Sequence, residues 1–110
     1  MKDIVSLEQA EEIIKKDKEL REWVRNELIY PGGEAEIDHI IKGLTSMLAE
    51  IFDIYDAGHF IKAVLRNDFV DAVCRADNTN LKYIKVYALF VYNYIGMSAL
   101  REYYRRIGLK

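Results

Sequence analysis

Apolar side chains recur every three or four positions along most of the chain, and short polar or glycine-containing breaks separate the runs. This spacing puts apolar residues on one side of a helix, whereas a strand alternates apolar and polar positions. The longest run, from Glu34 to Ala57, begins with acidic residues, which favour the start of a helix. We therefore predict an all-α fold: one compact, single-domain bundle of five or six helices over residues 1–110.

The first third of the chain carries recognisable helix ends. Ser6 and Gln9 have capping-box spacing, so a helix should begin near residue 7. The apolar pattern resumes at Leu20 after a wholly charged stretch, in which Asp17 could cap a new helix. Either one bent helix or two short ones fits this pattern. Residues 30–33, Tyr-Pro-Gly-Gly, then predict a turn, because proline ends a helix and glycine permits positive φ.

Polar breaks in the second half supply caps for short helices. Gly58 is placed to end the long helix in a left-handed conformation. Asn67 or Asp68 can cap a later helix, and residues 77–80, Asp-Asn-Thr-Asn, can cap the next. Both polar clusters could also surround a ligand. Capping is the simpler interpretation, because short helices depend on satisfied ends and on tertiary packing.

The run from Asn80 to Ile95 is apolar nearly all round. A helix without a broad polar face is either central in a domain or shared with another subunit. Gly96 should break this helix, and Ser98 should cap the last one.

The last helix ends in a basic and aromatic tail. Its candidate recognition residues are Arg101, Tyr103, Tyr104, Arg105 and Arg106. Arginine and tyrosine are enriched where proteins bind partners, and arginine grips phosphate or carboxylate bidentately. An alternative is structural: basic residues near a helix C-terminus complement its dipole, and Arg105 or Arg106 could meet the acidic first half.

The net charge of −2 argues against a general nucleic-acid binder, which usually needs clustered basic residues. The charge is unevenly distributed. Residues 1–57 contain seven basic and fourteen acidic side chains, whereas residues 58–110 contain nine basic and four acidic ones. Packing of the two halves against each other would partly cancel this asymmetry, which could otherwise steer a charged partner or pair one subunit with the next.

Cys74 is the one cysteine, so it cannot form an intramolecular disulfide. It follows Phe69, Val70 and Val73 on an apolar stripe, where a small thiol is expected to pack in the core rather than act as a nucleophile. A lone cysteine fits a reducing compartment, and no stretch resembles a secretory signal or a membrane span. We therefore expect a cytoplasmic protein.

Few residues invite a catalytic interpretation. The chain has no phosphate-binding Walker loop, no HExxH, no paired CxxC and no GxSxG motif. Asp53, Asp56 and His59 recur at three-residue intervals and could converge on a divalent cation, but a break at Gly58 would rotate His59 away. His39 lies in a first turn and is better explained as a solvated or capping residue. No cofactor or metal is predicted.

The stretch from Gly58 to Asn93 resembles a family of small, mostly uncharacterised proteins encoded by bacteriophages and prophages. The shared positions are Gly58, Phe60, Ala63, Val64, Leu65, Asn67, Asp68, Ala76, Asp77, Asn80, Tyr92 and Asn93. Family members commonly continue into a proline and a Trp-Gly segment, where this chain has Tyr94-Ile95-Gly96. The resemblance implies an α-helical fold and a phage or mobile-element setting, and it implies no catalytic residue.

These observations favour a non-catalytic, phage-type binding protein that acts on a host or phage macromolecule, as a homodimer or small homo-oligomer with a protein partner. A second hypothesis is a protein that sequesters a nucleotide, with Arg101, Arg105 and Arg106 on the phosphates and Tyr103 or Tyr104 stacked on the base. A helix-turn-helix regulator built on residues 60–76 is less favoured, because its second helix is more acidic than basic. An enzyme that uses Asp53, Asp56 or His59 is also less favoured.

Overall fold

The computed structural model describes residues 4–27 and 34–108, which are almost wholly helical and include no strand. The helices in chain order are α1 (Leu7–Lys16), α2 (Lys18–Glu27), α3 (Glu34–Ile51), α4 (His59–Leu65), α5 (Phe69–Arg75), α6 (Asn78–Lys82), α7 (Ile84–Leu89), the π-helix (Phe90–Ile95) and α8 (Met97–Ile107). The predicted all-α domain is confirmed, but the predicted five or six helices is wrong: the described residues form eight α-helices and a π-helix. The predicted turn at residues 30–33 lies outside the described residues.

The two N-terminal helices are separate, and side-chain caps explain where each begins. The Gln9 backbone N–H donates to Ser6 Oγ at 3.1 Å, so the predicted start of α1 is confirmed. The Leu20 backbone N–H donates to Asp17 Oδ1 at 2.9 Å, one residue after the last turn of α1. Asp17 therefore divides the charged stretch into two helices.

Helix α3 is the centre of the bundle, since α1, α2, α4, α6 and α8 all pack on it. It ends at Ile51 rather than at Ala57. Asp53 takes the left-handed conformation with φ 60°, and the Ile54 N–H donates to the Ala49 carbonyl at 3.1 Å, which forms a Schellman ending. The prediction that Gly58 ends this helix is wrong: Gly58 has φ −68° and precedes α4.

Helices α4 and α5 form a tight hairpin in which the predicted polar break has two roles. Asn67 has φ 61°, and the Asp68 N–H donates to the Ala63 carbonyl at 2.9 Å, so Asn67 closes α4. The Asp68 side chain accepts from the Asp71 N–H at 3.1 Å and opens α5. The predicted capping is therefore confirmed.

The apolar run from Asn80 to Ile95 is not one helix. Asp77 caps α6 by accepting from the Asn80 N–H at 2.7 Å, and Tyr83 leaves helical geometry between α6 and α7. After α7 the chain continues as the π-helix. Buried positions are still concentrated in this segment, and they are Tyr83, Val86, Tyr87, Phe90 and Ile95.

Gly96 ends the apolar run at φ 83°, as predicted. The prediction that Ser98 caps the last helix is wrong, because α8 already begins at Met97 and the Leu100 N–H donates to the Gly96 carbonyl. With φ positive, Gly96 redirects the chain without needing a side-chain cap.

The acidic and basic halves pack against each other, as the charge distribution indicated. Ion pairs that join them include Lys62 with Asp56, Lys82 with Glu36 at 3.5 Å and Arg106 with Asp53 at 4.0 Å. Within the described ranges, no helix has both the length and the apolar character that crossing a bilayer requires.

Candidate functional site

The five tail residues of α8 do not form one surface. Tyr103 is wholly buried, which corrects its assignment to a recognition surface. Tyr104 is partly buried, whereas Arg101 and Arg105 are exposed, and Arg105 pairs with Glu102 at 2.8 Å. A buried Tyr103 cannot stack on a nucleotide base, so the nucleotide hypothesis loses one of its two stacking residues at this location.

Arg106 has a structural role at the end of α3. Its two Nη groups donate to the backbone carbonyls of Ile51 at 2.9 Å and Glu50 at 3.0 Å. These carbonyls lie in the last turn of α3, where backbone acceptors lack helical partners. The structural alternative for Arg106, that it meets the acidic first half, is therefore confirmed.

Glu50 joins α3 to the following loop and to α8. Its exposed fraction is 8%, and its carboxylate accepts from the Ala57 N–H at 2.9 Å and from the Tyr103 hydroxyl at 3.0 Å. Burial, and secondly Glu50, raises the pKa of Tyr103 to about 12. Lys62 lies 4.0 Å from the same carboxylate, so the buried charge has a cationic neighbour. Glu50 therefore links the end of α3 to the α3–α4 loop, to Lys62 of α4 and to Tyr103 of α8.

Helix α5 presents an apolar face to the exterior. We call its four residues, Phe69, Val70, Val73 and Cys74, the α5 ridge. Phe69 is 72% exposed and Val70 is 69% exposed, and Cys74 is also exposed. The prediction that this stripe packs in the core, with Cys74 buried, is therefore wrong. Ala72 is the buried residue of α5, so a small side chain carries its contact with the core.

The α5 ridge continues into a shallow apolar groove between α4, α5 and α7. The groove has a volume of about 110 Å³, and its apolar lining is Ala63, Val64, Phe69, Ala72, Ile84 and Ala88. Contiguous exposed apolar surface of this kind marks interaction sites in soluble proteins. The ridge and groove form the first candidate site.

A second candidate site is a polar cleft between α3, the start of α4 and the α5–α6 junction. Its volume is about 660 Å³. The polar and charged residues that line it are His39, Lys42, Ser46, His59, Cys74, Arg75, Asp77 and Asn80. His39 is exposed and meets Asp77 across the cleft, with 3.1 Å between Nε2 and Oδ2.

The floor of the polar cleft is aromatic and tightly packed. The Tyr87 hydroxyl donates to Asn80 Oδ1 at 2.5 Å, and its ring meets Phe60 edge to face at 5.1 Å between centroids. Burial raises the pKa of Tyr87 well above its ordinary value. A methyl group at Gly43 would collide with this tyrosine, so the close packing of α3 on Tyr87 requires glycine.

Cys74, His39 and His59 all line the cleft, a grouping that the sequence did not indicate. Among the described residues, however, no hydrogen bond joins the thiol to either imidazole. Asp56, one of the residues considered for a cation, instead pairs with Lys62, which lowers the pKa of Asp56. Within residues 4–27 and 34–108, no three metal-binding side chains converge on a common point.

Sequence reasoning missed both candidate sites for different reasons. His39, Lys42, Gly43 and Ser46 share one face of α3 at three- and four-residue spacing, so half of the cleft was visible in the sequence. Its other walls come from residues 58–61 and from residues between 74 and 87, and no periodic pattern connects them with α3. The rotation of α5 that exposes its apolar face could not be predicted from the residues of α5 themselves.

No protein-family model, curated protein or solved structure matches this chain. The resemblance to phage-encoded proteins therefore stays a prediction, and the function has to be argued from the two sites themselves.

Proposed function

We propose that this chain is a non-catalytic, phage-type binding protein that acts on a host or phage macromolecule and works as a homodimer. The observation that carries the proposal is the exposed α5 ridge. Burying such apolar surface contributes roughly 25 cal/mol per Å², so an exposed phenylalanine and valine side by side favour association.

The occupant of the ridge in this proposal is a second copy of the chain. Acidic residues, Asp68 and Asp71, stand at the start of α5, and Arg75 stands at its end. An antiparallel, two-fold pairing of α5 helices would bring Arg75 of each copy close to Asp68 of the other. The two apolar ridges would then face each other. Charge complementarity and apolar contact both favour this arrangement.

The groove beside the ridge extends the surface available to a dimer. A stable dimer usually buries about 1,200–2,000 Å² in total, more than one seven-residue helix offers. Because Phe69 lines both the ridge and the groove, the contact can continue onto Ile84 and Ala88 of α7.

Sedimentation equilibrium tests the dimer with two matched variants. The chain has a mass of 12.9 kDa, so the wild-type protein should approach twice that mass as its concentration rises. Val70→Asp should remain a monomer, because it places a charge in the apolar interface. Val5→Asp is the control, since Val5 is 76% exposed and lies outside the ridge.

A wild-type monomer at every concentration would overturn the dimer, as would a Val70→Asp protein that still dimerises. Cys74 gives an independent readout: alkylation of its thiol should slow as the wild-type concentration rises, but not in Val70→Asp. The macromolecular partner is tested by native mass spectrometry of tagged protein recovered from bacterial lysate. We expect a captured macromolecule with wild-type and Val5→Asp protein, and its loss with Val70→Asp.

A further inference from the structure

We infer that the polar cleft binds the phosphate group of a small phosphorylated molecule of about nucleoside monophosphate size. This inference goes beyond the proposed function, since it concerns a different class of ligand and a cleft that shares only Cys74 with the α5 ridge. It also differs from the nucleotide hypothesis for the α8 tail, because none of the five tail residues lines the cleft.

The charge balance of the cleft favours an anion. Lys42 and Arg75 are basic, and Asp77 is the one acid among the described residues that line the cleft. Both oxygens of Asp77 are already engaged, Oδ1 by the Asn80 N–H at 2.7 Å and Oδ2 by His39 at 3.1 Å. Asp77 is therefore committed to the protein, and Arg75 shares its charge with Asp71 at 2.9 Å, so the charge available to a ligand comes mainly from Lys42.

The two cations retain donors for a ligand. Lys42 is exposed and makes no ion pair with any other described residue. Arg75 donates from Nε to Asp71 at 2.9 Å, which uses one of the five N–H donors of a guanidinium group. Charge-assisted bonds from lysine and arginine to phosphate are among the strongest polar contacts in proteins.

The shape of the cleft fits a phosphate with an attached organic group. Lys42 and Ser46 lie one turn apart on the same face of α3, and both line the cleft, whereas the space beside Gly43 is filled by Tyr87. The volume of about 660 Å³ exceeds what inorganic phosphate needs and lies in the usual range for small-molecule sites. His59 on the opposite side can donate a further hydrogen bond to the bound molecule.

Isothermal titration of the whole chain with adenosine monophosphate at low salt tests this inference. We expect saturable binding that Lys42→Gln weakens about tenfold or more, as losing a charged contact of roughly 1.4 kcal/mol would do. Lys85→Gln is the matched control, since Lys85 is an exposed lysine outside the cleft, and it should bind like wild type. Arg75→Gln provides a second variant that should also weaken binding.

Two further probes identify what the cleft recognises. Inorganic phosphate should bind more weakly than the monophosphate, and adenosine should not bind. Equal binding of adenosine, no saturation with the monophosphates of all four nucleosides and with glucose 6-phosphate, or unchanged affinity in both Lys42→Gln and Arg75→Gln would each overturn the inference. Repeating the titration with Val70→Asp separates the two proposals, because Val70 does not line the cleft and the monomeric variant should still bind, whereas Arg75 takes part in both proposals and cannot separate them.

Discussion

Helices α5 and α8 differ in which of their side chains the bundle covers. Helix α5 contributes Ala72 to the core and leaves Phe69 and Val70 exposed, whereas α8 buries Leu100 and Tyr103 completely or nearly so. The neighbours explain the difference. Helix α8 lies against the end of α3, where a buried carboxylate and open carbonyls need donors, and its tyrosine and arginine supply them. Among residues 4–27 and 34–108, no element covers the apolar side of α5 in the same way.

The comparison shows that apolar character alone did not decide what is buried in this protein. Tyr103 carries a hydroxyl and is inside, because Glu50 satisfies that hydroxyl. The Phe69 side chain carries no polar atom and is outside, because α5 packs on the bundle through Ala72. An apolar residue left outside in this way is evidence for an interface.

The largest expected effect contrasts two phenylalanines on neighbouring helices. Phe60 is 7% exposed and packs edge to face on Tyr87, so Phe60→Ala should lower the free energy of unfolding by about 3–5 kcal/mol. Phe69→Ala should change it by less than about 0.5 kcal/mol in dilute, monomeric protein. Urea denaturation of both variants measures the two values. Similar losses would mean that Phe69 is buried after all.

A smaller effect contrasts two adjacent arginines on α8. Arg106→Gln removes the charged donors that close the end of α3, and it should lower the free energy of unfolding by about 1–2 kcal/mol. Arg105→Gln removes an exposed pair with Glu102 and should cost less than about 0.5 kcal/mol. Thermal denaturation of the two variants gives the comparison. If Arg105→Gln cost as much as Arg106→Gln, the capping role of Arg106 would have no support.

The last expected effect is a pH dependence in the alkaline range. The pKa of Tyr103 is raised from 10.0 to about 12, so the folded state holds the phenol proton more tightly than the unfolded state. Its contribution to stability should be fully present below pH 10 and should be lost as pH rises toward 12. Urea denaturation at several pH values measures this dependence. The free energy of unfolding of Tyr103→Phe, taken relative to its own value at neutral pH, should fall less steeply with pH than that of the wild-type protein. Tyr92→Phe, at a 72% exposed tyrosine, should leave the wild-type slope unchanged.

Much of the local structure could be predicted from the sequence. The start of α1, the role of Asp68 as a cap and the break at Gly96 all follow from short-range chemistry between residues a few positions apart. The errors occurred where tertiary contacts compete with that chemistry. Helix α3 stops at Ile51 before reaching Gly58, and the Glu50 carboxylate binds the backbone of the following loop at Ala57.

The candidate sites were less predictable than the fold. The tail of α8 has the composition of a recognition surface, but composition does not reveal that Arg106 reaches carbonyls 55 and 56 residues earlier in the chain. Across the polar cleft, His39 contacts Asp77, which lies 38 residues later in the chain. Such long-range pairs leave no periodic signal in one sequence.

The sequence by itself determined that this protein is helical, where several of its helices begin and that its two halves carry opposite charge. These properties depend on side-chain spacing and on hydrogen bonds between residues three to five positions apart. The tertiary structure alone decided which face of each helix is covered, because rotation of a short helix depends on the surface against which it packs. For that reason Phe69 lies at the surface, Tyr103 lies in the core, and the polar cleft lies between α3 and the α5–α6 junction.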